Sequence, residues 1–162
     1  MRIAIILIAT FLSSANASFN VESHRAQAMA IIRRAMAKNP NQTYASVLSG
    51  LSSVQMIVLS PQEAASTRCA ETKPGTRNVH PGSFTRMNTG VIYICPGIGG
   101  GNSGDIAELL VHEAAHKAGI ADECQAARIE VSILHDAGRS AYNTHSECGS
   151  FKGASIASET GR

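Results

Sequence analysis

Asp105-Ile106-Ala107-Glu108-Leu109-Leu110-Val111-His112-Glu113-Ala114-Ala115-His116-Lys117-Ala118-Gly119 is the stretch on which the reading of this chain turns. Asp105 and Glu108 stand at capping-box spacing, which predicts a helix over 106–118, and Gly119 supplies its C-terminal stop. On that helix His112 and His116 are four residues apart, so both imidazoles leave one face a turn apart and can share one cation. Glu113, beside the first histidine, would face a metal-bound water, where a carboxylate can take a proton and pass it on to a leaving group. Imidazole plus carboxylate with an open fourth position is the usual hydrolytic arrangement of zinc, so a single Zn2+ is the expected ion. The competing reading is a solvated helix that carries two histidines. Leu109, Leu110 and Val111 speak against it, because they make the flanking turn apolar, and a buried His-Glu-His cluster without a metal is costly.

Downstream, residues 123–137 carry Ala126, Ile129, Ile133, Leu134 and Ala137 at core spacing and end at Gly138, with Asp122 and Gln125 placed to cap the start. Arg128 and Glu130 read as a solvated face of this helix. His135-Asp136 lies near its C-terminus, where the dipole favours a cationic side chain. Residues 150–162 are small and polar and read as a flexible tail.

Upstream, residues 96–104 are glycine-rich but lack the Gly-Lys-Ser/Thr ending of a phosphate loop, and read as a connection. Residues 83–87 and 91–95 flank Asn88-Thr89-Gly90 as a hairpin with a bulge, and 91–94 is the strongest strand pattern in the chain. Residues 66–81, with Cys69, Pro74-Gly75 and His80, read as a disulfide-tied surface loop. Residues 54–59 read as a buried strand closed by Pro61. Two helices come first: 21–38, stopped by Asn39-Pro40, and 43–49, with Gly50 as its stop. Residues 1–17 read as a signal peptide, with Arg2 as the charged region, an apolar run too short to span a bilayer, and a cleavage site at Ala15-Asn16-Ala17. The expectation is therefore one domain over 18–149 in a secreted or periplasmic protein, cleaved near Ala17, with no stable membrane insertion.

Cys69, Cys95, Cys124 and Cys148 are an even set in an exported chain. Sequential pairing, Cys69 with Cys95 and Cys124 with Cys148, closes two moderate loops worth roughly 3 kcal/mol each in the chain-entropy model. A Cys-rich metal site is disfavoured by the lack of any Cys-x-x-Cys pair. The formal charge is only +2, and Lys and Arg are scattered, so nucleic-acid binding has no electrostatic support. Aromatic content of 4% without Trp offers no stacking platform for single strands or sugars.

The segment from Val111 to Glu123 resembles the zincin metallopeptidases, which share a His-Glu-x-x-His helix, a small upstream sheet and a third ligand further on; over 54–95 the resemblance is architectural. It implies an α+β fold, with a short mixed sheet packed on helices and the metal helix lining a cleft. The third ligand is Asp122 or Glu123. His112 to Asp122 fits the extended metzincin pattern, as in the small snapalysin-like enzymes, but there is no methionine after Met87 to form a Met-turn. Short bacterial zincin-like sequences with Gly-Ile-x-x-Glu after the second histidine are similar as well, and place Glu123 first. The aspzincin Gly-Thr-x-x-Asp segment is missing. Tyr142 and His145 stand where oxyanion donors could enter the cleft. The resemblance implies hydrolysis of a peptide bond in a protein or a peptidoglycan stem peptide, held by edge pairing to the 91–94 strand or its neighbour. Alternatives are a disulfide-stapled non-catalytic binding protein on the same fold, and a secreted effector or toxin with the same chemistry.

Overall fold

A computed structural model describes residues 20–70, 83–86, 89–96, 103–140 and 148. The expected signal peptide, the tail, His80, Pro74-Gly75, Tyr142 and His145 lie outside the described residues. The architecture is α+β: among the described residues there are five α-helices and a three-stranded mixed sheet. In chain order these are α1 (Val21–Lys38), α2 (Gln42–Ser53), β1 (Met56–Val58), α3 (Pro61–Ala64), β2 (Ser83–Arg86), β3 (Val91–Ile94), α4 (Ser103–Lys117) and α5 (Glu123–Asp136), with a 3-10 turn at Arg68–Ala70. Among the described residues no helix is long and apolar enough to cross a membrane.

Strand β3 is central, parallel to β1 with Met56 opposite Ile92 and antiparallel to β2 with Thr85 opposite Ile92. Side chains alternate across a strand, so the sheet has two unlike faces. Ile92 and Ile94 join the main core with Ile32, Leu51, Leu110 and Ile133. Tyr93 and Ile57 point the other way, onto Leu59, Ala64, Cys69 and Cys95. The Cys69–Cys95 disulfide closes this second, smaller cluster, and the Cys124–Cys148 disulfide ties the head of α5 to the chain beyond it, which is the expected pairing.

Several expectations are corrected. Gly50 does not stop α2, which runs on to Ser53. A Cβ there would lie 3.2 Å from Lys117 Cγ and 3.4 Å from the Ala114 carbonyl oxygen, so glycine lets α2 approach α4 closely without displacing Lys117. Residues 54–59 are not a fully buried strand: only Met56–Val58 pair, at a sheet edge, and Val58 is 46% exposed. Pro61 does close the strand, but it also opens α3, where Ser60 and Glu63 form a capping box. Helix α4 begins at Ser103, before the expected start. Glu108 therefore lies inside the helix, and its carboxylate pairs with Arg139 at 2.9 Å.

Helix α4 is the pillar of the domain, with α1, α2 and α5 on its flanks and β2 across it. Ala107, Ala114 and Ala115 are fully buried and small enough to let these neighbours close in. His112, Glu113 and His116 are buried on the same helix, each at most 9% exposed. Buried polar groups need partners.

Candidate metal centre

The site is built where α4 turns into α5. Gly119 adopts φ +100°, a conformation that costs glycine little. Its N–H bonds the His116 carbonyl at 2.9 Å and the Ile120 N–H bonds the Ala115 carbonyl at 3.2 Å, the paired bonds of a Schellman stop. The turn delivers the Ile120 carbonyl oxygen to His116 Nδ1 at 2.6 Å. Three residues after Gly119, the Asp122 carboxylate accepts from the Gln125 N–H at 2.7 Å and starts α5. Glu123 then stands in the first turn of α5, facing back to α4.

Glu123 Oε1 is 3.2 Å from His112 Nε2 and its Oε2 is 3.2 Å from His116 Nε2. The two Nε2 atoms are 3.1 Å apart, with the rings edge-on at 79°. His112, His116 and Glu123 can thus offer one ligand atom each, all within 4.8 Å of one another. Tetrahedral zinc with bonds of about 2.0–2.1 Å sets its ligand atoms roughly 3.3 Å apart, so the two nitrogens already stand near ligand spacing. Of the two candidates for a third ligand, Glu123 joins the histidines, and Asp122 turns its carboxylate to the helix cap.

The remaining ring nitrogens fix how the histidines present themselves. His112 Nδ1 lies 3.1 Å from Glu130 Oε2, and His116 Nδ1 meets a carbonyl oxygen. Both partners only accept, so each Nδ1 carries the proton and donates. Each Nε2 lone pair is left aimed at the common point, the arrangement by which carboxylates and carbonyls orient metal-binding histidines. Two lone pairs at 3.1 Å repel unless a cation stands between them, and either a proton or a metal ion can fill that role. The donor set fits a borderline divalent metal such as zinc.

The electrostatics agree. Burial pulls the His112 pKa down, but hydrogen bonds to Glu123 and Glu130, with the nearby charges of Glu130 and Glu113, outweigh it and push it up to about 10. His116 is also raised, burial being outweighed chiefly by Glu123 and the Ile120 carbonyl. The bonds from His112 and His116 hold the Glu123 carboxyl well below the usual range. The Glu123 side chain is 50% exposed, so the cluster opens to solvent on that side. Three candidate ligands among the described residues would leave a tetrahedral ion one position for water or substrate.

Glu113 is 4% exposed and turns toward the sheet, where Thr85 Oγ1 lies 2.7 Å from its Oε2. Its charge is the least of the causes that raise the two histidines.

Glu130 corrects the sequence reading: it is 5% exposed, not part of a solvated face, and it meets His112 Nδ1. The signal was its spacing, since seven residues from Glu123 is two turns along one helix face. Arg128 is exposed, as expected. His135 is exposed, and Asp136 has a structural task, accepting from Tyr44 Oη and Asn39 Nδ2 at 2.9 Å each. No family model, curated protein or solved structure matches the chain.

Proposed function

We propose that the protein is a secreted zinc-dependent metallohydrolase, acting on peptide bonds with His112, His116 and Glu123 as metal ligands and Glu113 as general base. The observation that carries this reading is the convergence of both Nε2 lone pairs and a carboxylate on one point, with each Nδ1 anchored and the open side facing solvent. A divalent ion held there supplies Lewis-acid activation of water and of a carbonyl group. Glu113 then takes the proton from the attacking water and returns it to the departing amine. Peptide as the substrate class is supported by the zincin resemblance of Val111 to Glu123 and by the sheet. β3 is paired on both sides, whereas among the described residues β2 is an edge strand whose Thr85 touches Glu113, so an extended chain added along β2 would run past the general base. Two disulfides and the expected leader at 1–17 support an oxidising compartment.

The test uses the purified, oxidised protein. Elemental analysis is expected to find one zinc per chain, and a quenched-fluorescent peptide library is expected to be cleaved, with loss on treatment with 1,10-phenanthroline and recovery on adding zinc. Glu113→Gln is expected to keep the zinc and lower turnover by about 10²–10⁴-fold. Protein that takes up no divalent metal, or a Glu113→Gln variant that cleaves as well as the parent, overturns the reading; a variant that keeps both zinc and its biological effect marks a binding module instead.

A further inference from the structure

We propose that Thr85 is a positioning residue for Glu113, its hydroxyl holding the carboxylate from the sheet while the helices hold the metal ligands. This rests on the reading of the cluster as a hydrolytic metal centre. Thr85 stands opposite Ile92, which is fully buried beneath the helices, so strand alternation turns Thr85 toward α4 as well. Its row across the sheet is completed by Ile92 and Met56, both apolar, and Thr85 brings a hydroxyl into that layer.

That hydroxyl lies 2.7 Å from Glu113 Oε2 and 3.2 Å from the Glu113 carbonyl oxygen. It has one proton to give, and an ionised carboxylate at the shorter distance is the stronger acceptor, so the bond is made to Oε2. Two properties make Thr85 a good clamp. Its β-branch leaves little freedom at χ1, and β2 is tied to β3 along its whole described length. Glu113, by contrast, reaches out on a flexible side chain whose rotamer the helix alone does not set. A general base works only within hydrogen-bond reach of the proton it abstracts, and an offset of about 1 Å can lower a rate about 100-fold. Holding one carboxylate oxygen from the sheet restricts the arc open to the other.

Thr85→Val removes the hydroxyl at nearly constant shape, Thr85→Ala removes it with less bulk, and Thr85→Ser retains it. Each is compared with the parent protein and with Glu113→Gln in three measurements: zinc content, kcat and KM on the best-cleaved peptide from the library, and the affinity of the cobalt(II)-loaded protein for acetohydroxamate, read from its visible spectrum. Acetohydroxamate is the probe because it chelates the metal and gives a proton to a neighbouring carboxylate. Thr85→Val and Thr85→Ala are expected to keep stoichiometric zinc, to lose about ten- to a hundredfold in kcat with little change in KM, and to bind acetohydroxamate about tenfold more weakly. Thr85→Ser is expected to restore both to within about threefold of the parent. If Glu113→Gln is impaired while Thr85→Val and Thr85→Ala match the parent, or if Thr85→Ser is as weak as Thr85→Ala, the proposal is overturned and the hydrolase reading stands. If Thr85→Val fails to fold, the Thr85→Ala and Thr85→Ser pair decides by the same comparison. Failure of the hydrolase reading shows separately, as a parent protein without metal or a Glu113→Gln protein with full activity.

Discussion

Helix α5 carries a polar cluster at each end, and the two are balanced differently. At its C-terminal end Asp136 Oδ2 receives two hydrogen bonds, from Asn39 Nδ2 and Tyr44 Oη. Asp136 Oδ1 lies 3.4 Å from His135 Nδ1, and the set joins α5 to the α1–α2 corner with a donor for each carboxylate oxygen. From its first turn to its middle, Glu123 and Glu130 meet His112 and His116, and the charge of Glu113 also acts on them. Three carboxylates outnumber two imidazoles, and the two Nε2 atoms face one another at 3.1 Å. The first cluster is complete as a joint between helices; the second is a group that could hold a cation. The contrast identifies a candidate site by its donor and acceptor count, because buried polar groups that serve only the fold are arranged to satisfy each other.

The strongest way to break this comparison is to delete one imidazole. His112→Ala is expected to abolish stoichiometric zinc binding, measured by elemental analysis after dialysis, and with it the rise in melting temperature that zinc gives the parent. If zinc uptake persists, the cluster is not where the metal binds.

A subtler change leaves all three ligands in place. Glu130→Gln removes the charge that orients His112 through Nδ1, and zinc affinity measured against a competing chelator is expected to fall about 10–100-fold. An unchanged affinity makes Glu130 a packing residue only.

At the other end, Tyr44→Phe removes a hydrogen bond to a charged acceptor and is expected to cost about 1.5–3 kcal/mol in urea unfolding, with zinc affinity unchanged. Any effect on zinc would show that the two ends of α5 are coupled.

The smallest effect is also the sharpest discriminator, because both clusters hold a depressed carboxyl that loses stability in acid, whereas only the histidine cluster adds an alkaline limb. In metal-stripped protein the raised pKa of His112 contributes stability that is present below its ordinary value of 6.5 and lost as pH rises toward about 10. For Asp136, burial opposes the charge but hydrogen bonds from Asn39 and Tyr44 outweigh it and lower the pKa. Its contribution is therefore present above the ordinary value of 3.8 and lost as pH falls through the depressed one. Urea midpoints measured across pH are expected to show both limbs, with Tyr44→Phe flattening only the acid limb and Glu130→Gln only the alkaline one. Zinc binding should release protons throughout the range in which His112 is charged.

What could be read without coordinates was local. The spacing of His112 and His116, the glycine after α4, the Asp122 cap, the hairpin around Gly90 and the even cysteine count each depend on residues close in sequence or on simple chain statistics, and the structure has them all. Glu123 was within reach too, as one of two neighbours at the head of α5. Only the structure separates them, because the direction in which α5 leaves the Gly119 turn decides which carboxylate faces the histidines and which faces the helix end.

The other decisions belong to tertiary packing. Gly50 reads as a helix stop until α4 is seen pressed against it, and Glu130 reads as solvated until α5 is laid along α4. Thr85 has no signal in its own strand that it meets Glu113, since that contact depends on the register of β2 against β3 and on the seat of α4 across the sheet. Periodicity and capping are written into a few consecutive residues by backbone geometry. Which polar side chains share a buried space is set by how whole elements cross, and no single segment encodes that.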